Sequence, residues 1–562
     1  MLLVWTSCTK FLDKEPVDII TEKLILTEKA AFTAHTAYLY SQIPFDFPDY
    51  GFGSGFLSYY TGEVVERQGG ASVNMEYKFN SWGSSYKLLR ALNILIEKVP
   101  SATVFATEKE RTESLGELRF IRAYVYFSLV QRYGGVPLIT NSMELPESGD
   151  ISELYRARDK AADVYNFVET EMTEAINMMS VDPNKYRLNK WSGLAFKSRA
   201  MLHAAAIATY DAIQLDGLIG IPQSEAEHYW ESARDAAKLL IETGPYVLYN
   251  VDANKVTNYH NLFFDESEAN NERIFDIGYL YPVKGHSFDK SMAPNSHRSS
   301  QGNQGHFCPT YEMAESYEYI NNADGTLKLN NPDLSPIEYA NPADLFKDKD
   351  PRFLSSILFP GSPWMGTTLE IYGSKIQDGK EIGGTGADGL GQAESSSTGL
   401  YLSKWSDFNL PRPLATGSSD VDRQIIRYAE VLLNYAEAQL ELGNEPEARI
   451  YINLIRERAG LQPLIGPITM NDYRHERKIE LAYEGNLYWD LIRWRIFANV
   501  MNNTDTYGLW PVYNVDKNVY IFRKTKLTSI KYTRTFSTNL YYSKLDNGVI
   551  ASNPLLVENP GW

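Results

Sequence analysis

A mainly helical chain, built as a stack of helix hairpins and broken by a large irregular half carrying short strands, is predicted by three observations. Residues 27–240 repeat alanine and aromatic side chains at three- and four-residue spacing, the period of a helix packed on one or two sides. A second block at about 423–497 repeats that pattern, while the intervening 244–420 is rich in Gly, Pro, Asn and Ser and loses it. With 43% hydrophobic and 22% charged residues in 562, the chain has ample material for a large core.

The first block is clearest in "GELRFIRAYVYFSLVQRYGGVPLI". Leu118, Ile121, Val125 and Leu129 form one apolar stripe and Ala123, Phe127 and Val130 a second, so this helix is expected to bury two sides between neighbours. Gly134, Gly135 and Pro137 end it. Looser helix pairs can be read at 80–132, 156–213 and 226–243.

The second block contains "YAEVLLNYAEAQLELGNEPEARIYINLIRERAG". Ala436, Gly443 and Ala448 stand at the offsets where a tetratricopeptide repeat needs small residues, because two antiparallel helices touch there. The nearby Glu430, Glu437, Arg456 and Arg458 read most simply as a solvated or partner-facing surface. The result is a tetratricopeptide-like stack, interrupted rather than continuous.

The middle segment holds strand-like runs such as "RIFDIGYLY" and long polar loops such as "HSFDKSMAPNSHRSSQGNQGHF". Loops of that length inside a compact protein usually carry function. The tail after Asn502 reads as irregular.

Charge and composition exclude several classes. A net charge of −17 repels phosphate backbones and anionic headgroups, so nucleic acid is not an expected partner. Aromatics reach 13%, with 38 Tyr, which supplies surfaces for sugars, peptides or a partner protein as well as the core. No run approaches the ~18 consecutive apolar residues of a membrane-spanning helix.

Motifs for catalysis and metals are weak. Gly384, Gly386 and Gly389 satisfy G-x-G-x-x-G, but a dinucleotide site needs an apolar strand before it and a helix after it, where this chain has "SKIQDGKEI" and "GQAESSSTG", so a flexible loop is expected. "RHERKIEL" at His475 lacks the second histidine of a zinc helix. The acidic runs at 265–268 and 347–350 lack EF-hand spacing and read as solvated loop charges; no cofactor is expected and no motif indicates a structural calcium. Cys308 has no protease signature and reads as a packed thiol. Paired carboxylates for glycoside hydrolysis are defined by their separation in space, which a sequence does not give.

Six blocks in order, "SCTKFLDKEP", "ELRFIRAYVYFSLVQRYGGVPLI", "DKDPRFLSSILFPG", "IIRYAEVLLNYAEAQLELGN", "ERKIELAYEGNLYWDLIRW" and "NPLLVENPGW", resemble the SusD/RagB family of nutrient-binding lipoproteins from Cys8 to Trp562. The resemblance implies residues 1–7 as a signal-peptide remnant and 8–562 as one SusD-like domain, with helical repeats at about 27–243 and 423–497 and a ligand-binding insert at about 244–420. It implies a lipoprotein on the outer face of a Gram-negative outer membrane, lipidated at Cys8 and held to the membrane by that anchor only, although Trp5 stands where the lipobox usually has Leu. Its implied partner is a SusC-like TonB-dependent transporter, to which it would pass captured glycans.

The resemblance places ligand contacts around the first repeat helix and in the middle segment. There Glu63, Arg67 and Trp82 are candidates in the first region, and Tyr281 and Trp364 in the second, with Trp364 expected to be exposed in a Pro/Gly-rich loop. Trp82 can equally be a core residue of its helix. A non-catalytic glycan binder is the preferred reading; a peptide binder used in the same uptake, a glycosidase and a pure repeat scaffold are the alternatives.

Overall fold

The computed structural model describes residues 22–45, 56–67, 81–297, 302, 305–407, 414–528 and 534–562. Cys8, the expected lipidation site, lies outside them. The two-striped segment is a helix from Glu108 to Tyr133 with all seven stripe residues buried. Thr107 caps its start by accepting the Glu110 N–H at 3.1 Å. Gly134 ends it at φ +74, a conformation natural to glycine, while its own N–H donates to the Val130 carbonyl at 3.0 Å.

Helices Trp82–Lys98, Glu108–Tyr133, Ala161–Met178, Lys190–Tyr210 and Ala226–Thr243 each pack on the next. Ala226–Thr243 then packs directly on Tyr428–Glu441, which packs on Glu445–Ala459 and Met470–Glu480. The interruption therefore exists in sequence and not in space: one apolar cluster runs through Leu118, Ile176, Leu202, Leu240, Leu433 and Ile452. Ala436 and Ala448 are fully buried in it. Gly443 is different, because among the described residues a Cβ added there would meet no atom within 4 Å. Its φ of +80, not a close helix contact, is what calls for glycine.

The loop-rich segment leaves and rejoins the stack through one ribbon. Strand Arg273–Ile277 pairs antiparallel with Arg423–Arg427, bringing its two ends side by side. Beyond that stem a second core gathers Tyr259, Phe263, Phe353, Trp405, Tyr483 and Phe522. The expected irregular tail instead contains the two longest strands, Tyr507–Asn514 and Val519–Lys526, which form a hairpin. Ser374–Gln377 joins this hairpin in parallel and Lys380–Ile382 lies at the outer edge. Pro511, which argues against a strand, sits just before the Val512–Asn514 stretch that pairs with Ser374–Ile376, so its missing N–H falls outside that ladder. The final block is a strap: Arg158 donates to the Val557 carbonyl at 2.7 Å and the Trp562 indole N–H to the Tyr542 carbonyl at 3.0 Å.

The two halves are locked together by buried ions. Arg352 reaches Asp350 at 2.8 Å, Glu476 at 2.6 Å and Glu480 at 3.0 Å. Arg427 reaches Glu272 at 2.7 Å, Glu480 at 2.6 Å and Glu484 at 2.8 Å, and Arg458 pairs with Glu272 and Glu480. Burial alone would raise the Glu480 carboxyl, but Arg458, Arg427 and Arg352 outweigh it and hold it far below the usual carboxylate range. A second knot centres on Glu437, which accepts from Arg493, from the Tyr473 hydroxyl at 2.6 Å and from the Trp494 indole at 2.7 Å.

These pairings overturn two surface readings. Glu430, Glu437, Arg456 and Arg458 are all buried: each charge is taken up by a partner from another element, as Glu430 is by Arg199 at 2.6 Å and Arg456 by Glu318 at 2.9 Å. In the run 347–350, Lys349 and Asp350 have no exposed surface, and the Lys349 ammonium is capped by the carbonyls of Ala314, Tyr317 and Gly325. In the run 265–268, Glu266 pairs with Lys185 and Arg273.

Candidate functional site

Three of the five sequence candidates are interior, each in a different core. Trp82 packs against Tyr86 and edge-on against Tyr133, both at 5.2 Å, within the helical core. Glu63 is 1% exposed; its carboxylate accepts from the Thr61 hydroxyl and the Tyr483 N–H, both at 2.6 Å. Burial raises its pKa against the pull of those donors, so it is held by the protein rather than offered to solvent. Trp364 is 3% exposed, contrary to the expected loop exposure. A tight turn at Met365 and Gly366 pairs it with Thr367, and its ring joins an apolar cluster with Leu358, Leu369, Ile371, Leu390 and Tyr401.

The other two reach the surface. Arg67 is half-buried at the end of strand Val64–Glu66, where its N–H donates to the His306 carbonyl at 2.8 Å. Tyr281 is 45% exposed on a hairpin closed by Leu280 and Lys284, beside Leu280 at 63% and Val283 at 84%. The structure does not bring the five candidates together.

A site that the motif reading missed lies in the loop-rich half. It is an open cleft of about 870 Å³ bordered by Tyr311, Tyr319 and Tyr339, with Asn321, Asn330 and Lys524 on its rim. Its walls are stiffened locally. Asp324 accepts from the Thr326 N–H at 3.0 Å and hydroxyl at 2.6 Å, and Asp333 accepts from the Ser335 N–H at 3.0 Å and hydroxyl at 2.6 Å. Its rings are fixed too: the Tyr319 hydroxyl donates to Leu345 at 3.0 Å, the Tyr339 hydroxyl to Lys328 at 2.7 Å, and the Lys349 ammonium stands 4.4 Å from the Tyr319 ring centre. Burial pushes the Tyr319 phenol up to about 12, so it stays a neutral donor at physiological pH. The signal in the sequence is the paired "NNADGT" and "NNPDLS", two asparagine-led turns flanked by tyrosines.

Two other hollows suit a polymeric ligand less well. A groove of about 340 Å³ along helix Trp82–Lys98 is mostly apolar, bordered by Leu89, Ile139, Met143, Leu145 and Leu154. A cavity of about 60 Å³ lies among Gln131, Arg199, His203, Arg477, Trp489 and Arg493, room for about two waters at ~30 Å³ each. Among the described residues His203 Nδ1 there has no hydrogen-bond partner, and burial, then Arg493 and Arg495, press its pKa well below 6.5, so the imidazole is neutral. Cys308 is a packed thiol, donating to the Gly305 carbonyl at 3.3 Å and raised in pKa by burial. Among the described residues no cluster of three His, Cys, Asp or Glu side chains is placed to hold a metal, and no helix is long and apolar enough to cross a membrane.

The architecture is thus a spatially continuous helix-hairpin stack clamped to a loop-rich half, with the open polar cleft on the irregular side. Residues 267–562 match the SusD family, and residues 10–202 match a family described as "Starch-binding associating with outer membrane". The chain belongs to the SusD family. It is 24% identical to the SusD-like protein P38 of Formosa agariphila over 464 residues, covering 78% of this chain and 77% of that one. A SusD-like protein of Bacteroides fragilis superposes with a TM-score of 0.75 at 23% identity, covering 98% of this chain and 100% of its own. A SusD-like carbohydrate-binding protein of the same species superposes at 0.71 with 21% identity, covering 95% and 100%. At these identities the structural likeness establishes the fold.

Proposed function

We propose that this protein captures glycans at the surface of a Gram-negative outer membrane and passes them, chemically unchanged, to a SusC-like TonB-dependent transporter. The observation that carries this reading is the open, tyrosine-bearing, amide-rimmed cleft in a SusD-family chain. Sugars present apolar C–H faces and a perimeter of hydroxyls, which fixed phenol rings and side-chain amides match. The carbohydrate-binding name of one structural neighbour supports the same reading.

A glycan array followed by titration calorimetry tests it. Binding without release of new reducing ends is the expected result, and accumulation of shorter oligosaccharides would make the protein a glycosidase instead. Co-purification with a TonB-dependent transporter after mild detergent extraction tests the partner, and a lipoprotein recovered without it after cross-linking counts against delivery. Anchoring at Cys8 follows from the resemblance; two or three acyl chains give stable attachment where one gives a marginal one. With a complete signal, Cys8→Ala should move the protein to the soluble fraction of a transporter-deletion strain. Retention with outer-membrane vesicles there would remove the anchor.

A further inference from the structure

We infer that the cleft takes a neutral oligosaccharide stretch several rings long, rather than an acidic or sulfated glycan. The inference rests on the glycan reading above and adds the ligand's charge, its length and its place on the molecule.

Charge comes first. Three carboxylates, Asp324, Asp344 and Asp348, border the cleft against three ammonium groups, Lys328, Lys347 and Lys524. Lys524 is partly drawn away, its ammonium 3.8 Å from Glu315 and 4.5 Å from the Tyr311 ring. No cationic excess remains to hold a uronate or sulfate ester, and an arginine fork, the usual device for such anions, is absent from the cleft's border among the described residues. The whole chain carries −17, so its long-range field slows the approach of a polyanion. A neutral chain meets neither obstacle.

Shape gives the length. A volume of about 870 Å³ is near the top of the ~300–1,000 Å³ range of pockets that hold drug-sized ligands, more than a single sugar ring fills. The Asn321 and Asn330 side chains are exposed and supply both donors and acceptors, the pairing a hydroxyl needs, since a hydroxyl donates once and accepts twice. Tyr319 and Tyr339 already have their hydroxyls tied to backbone carbonyls, so their rings offer stacking surface without the ordering cost of a free side chain.

The test uses the full-length protein with panels of neutral polysaccharides (starch, xylan, mannan, β-glucan) and acidic ones (alginate, polygalacturonate, sulfated galactan) in native affinity gels. Cognate oligomers of one to seven rings are then titrated by calorimetry. Retardation by a neutral polymer, with affinity rising up to four or more rings, is expected. Asn330→Ala and Asn321→Ala remove exposed side chains that make no side-chain hydrogen bond among the described residues, and each should weaken binding at least about tenfold. Tyr319→Phe keeps the ring and should bind nearly as wild type, whereas Tyr319→Ala should not. Lys238→Ala, on the exposed face of the Ala226–Thr243 helix, should change nothing. Retardation by acidic polymers alone overturns the ligand class. Full affinity in the Asn330 and Asn321 variants, with loss in Tyr281→Ala, overturns the cleft while leaving glycan capture standing. No retardation by any glycan, together with saturable peptide binding, overturns glycan capture itself.

Discussion

The helical stack and the loop-rich half are held by different physics. In the stack, neighbouring helices bury Leu, Ile and Ala side chains in one continuous apolar cluster, with a few ion pairs such as Arg199 with Glu430 and Arg493 with Glu437 set into it. The loop-rich half has short strands and long connections, and its attachment to the stack is written in charged groups: Arg352, Arg427, Arg456 and Arg458 on Asp350, Glu272, Glu318, Glu476, Glu480 and Glu484. Apolar packing tolerates sliding and exchange of similar side chains, whereas a buried ion pair tolerates one geometry. The difference teaches why an irregular half can present a fixed cleft: each charged clamp specifies one arrangement.

The comparison breaks most violently at Glu480. Glu480→Ala takes the shared carboxylate from Arg352, Arg427 and Arg458, leaving Arg458 with Glu272 and Arg427 with Glu272 and Glu484, and removing one partner of a buried pair costs ~3–5 kcal/mol. Urea unfolding followed by far-UV circular dichroism and by tryptophan emission should split into two transitions, the loop-rich half first. A single transition at the wild-type midpoint would refute the clamp. Next is Ala436→Trp, which forces bulk into the fully buried contact between stacked helices at ~1–3 kcal/mol or more. An unchanged melting temperature there would mean the stack is looser than its burial indicates.

A smaller effect belongs to the small cavity that holds His203. His203 is neutral in the folded state with its pKa depressed below 6.5, so the unfolded chain binds more protons beneath that pH. Stability is full above about 6.5 and falls as pH drops through that value, by up to ~1.4 kcal/mol per pH unit for one proton. Relative to His203→Gln, wild type should lose about 1 kcal/mol more between pH 7 and pH 5.5; parallel pH profiles would exclude the histidine. Smallest of all is Gly443. Gly443→Ala should cost ~1 kcal/mol from its positive φ, and Gly443→Asn less, because asparagine adopts that conformation more readily. Equal losses in the two variants would return the position to a packing role.

The stack was legible because its signal is local: the stripes of 118–130 and the small residues at 436 and 448 are period-3.6 statements that a helix must honour wherever it packs. The clamps were not, because a Glu or Arg on a helix looks solvated until a partner many residues away is brought to it, as Arg352 is to Glu476. The hairpin at 507–526 was hidden by Pro511 and, in its first strand, by burial on both faces, which removes the polar alternation of a half-exposed strand. Of the candidate ligand residues, the sequence marked aromatic type without accessibility: Trp82 and Trp364 went inside, while Tyr319 and Tyr339, set among asparagine-led turns, border the cleft. The family blocks "DKDPRFL", "IIRYAEV" and "ERKIELAYEG" supply Asp350, Arg352, Arg427, Glu476, Glu480 and Glu484, so three of the six blocks that carry the resemblance hold the clamp.

The direct contact between Ala226–Thr243 and Tyr428–Glu441 also sets a timetable for a chain made from its N-terminus. The first helix emerges with one side already covered by Lys190–Tyr210, where the Trp230 indole donates to the Thr209 hydroxyl at 3.0 Å, but the whole of 244–420 must follow before its second partner exists. At ~5–20 residues per second that wait lasts on the order of ten seconds or more, during which the nascent protein shows a sticky, half-finished surface. Holding that surface apart from other chains is then a task for the cell's chaperones, and the length of the intervening segment fixes how long they must do it.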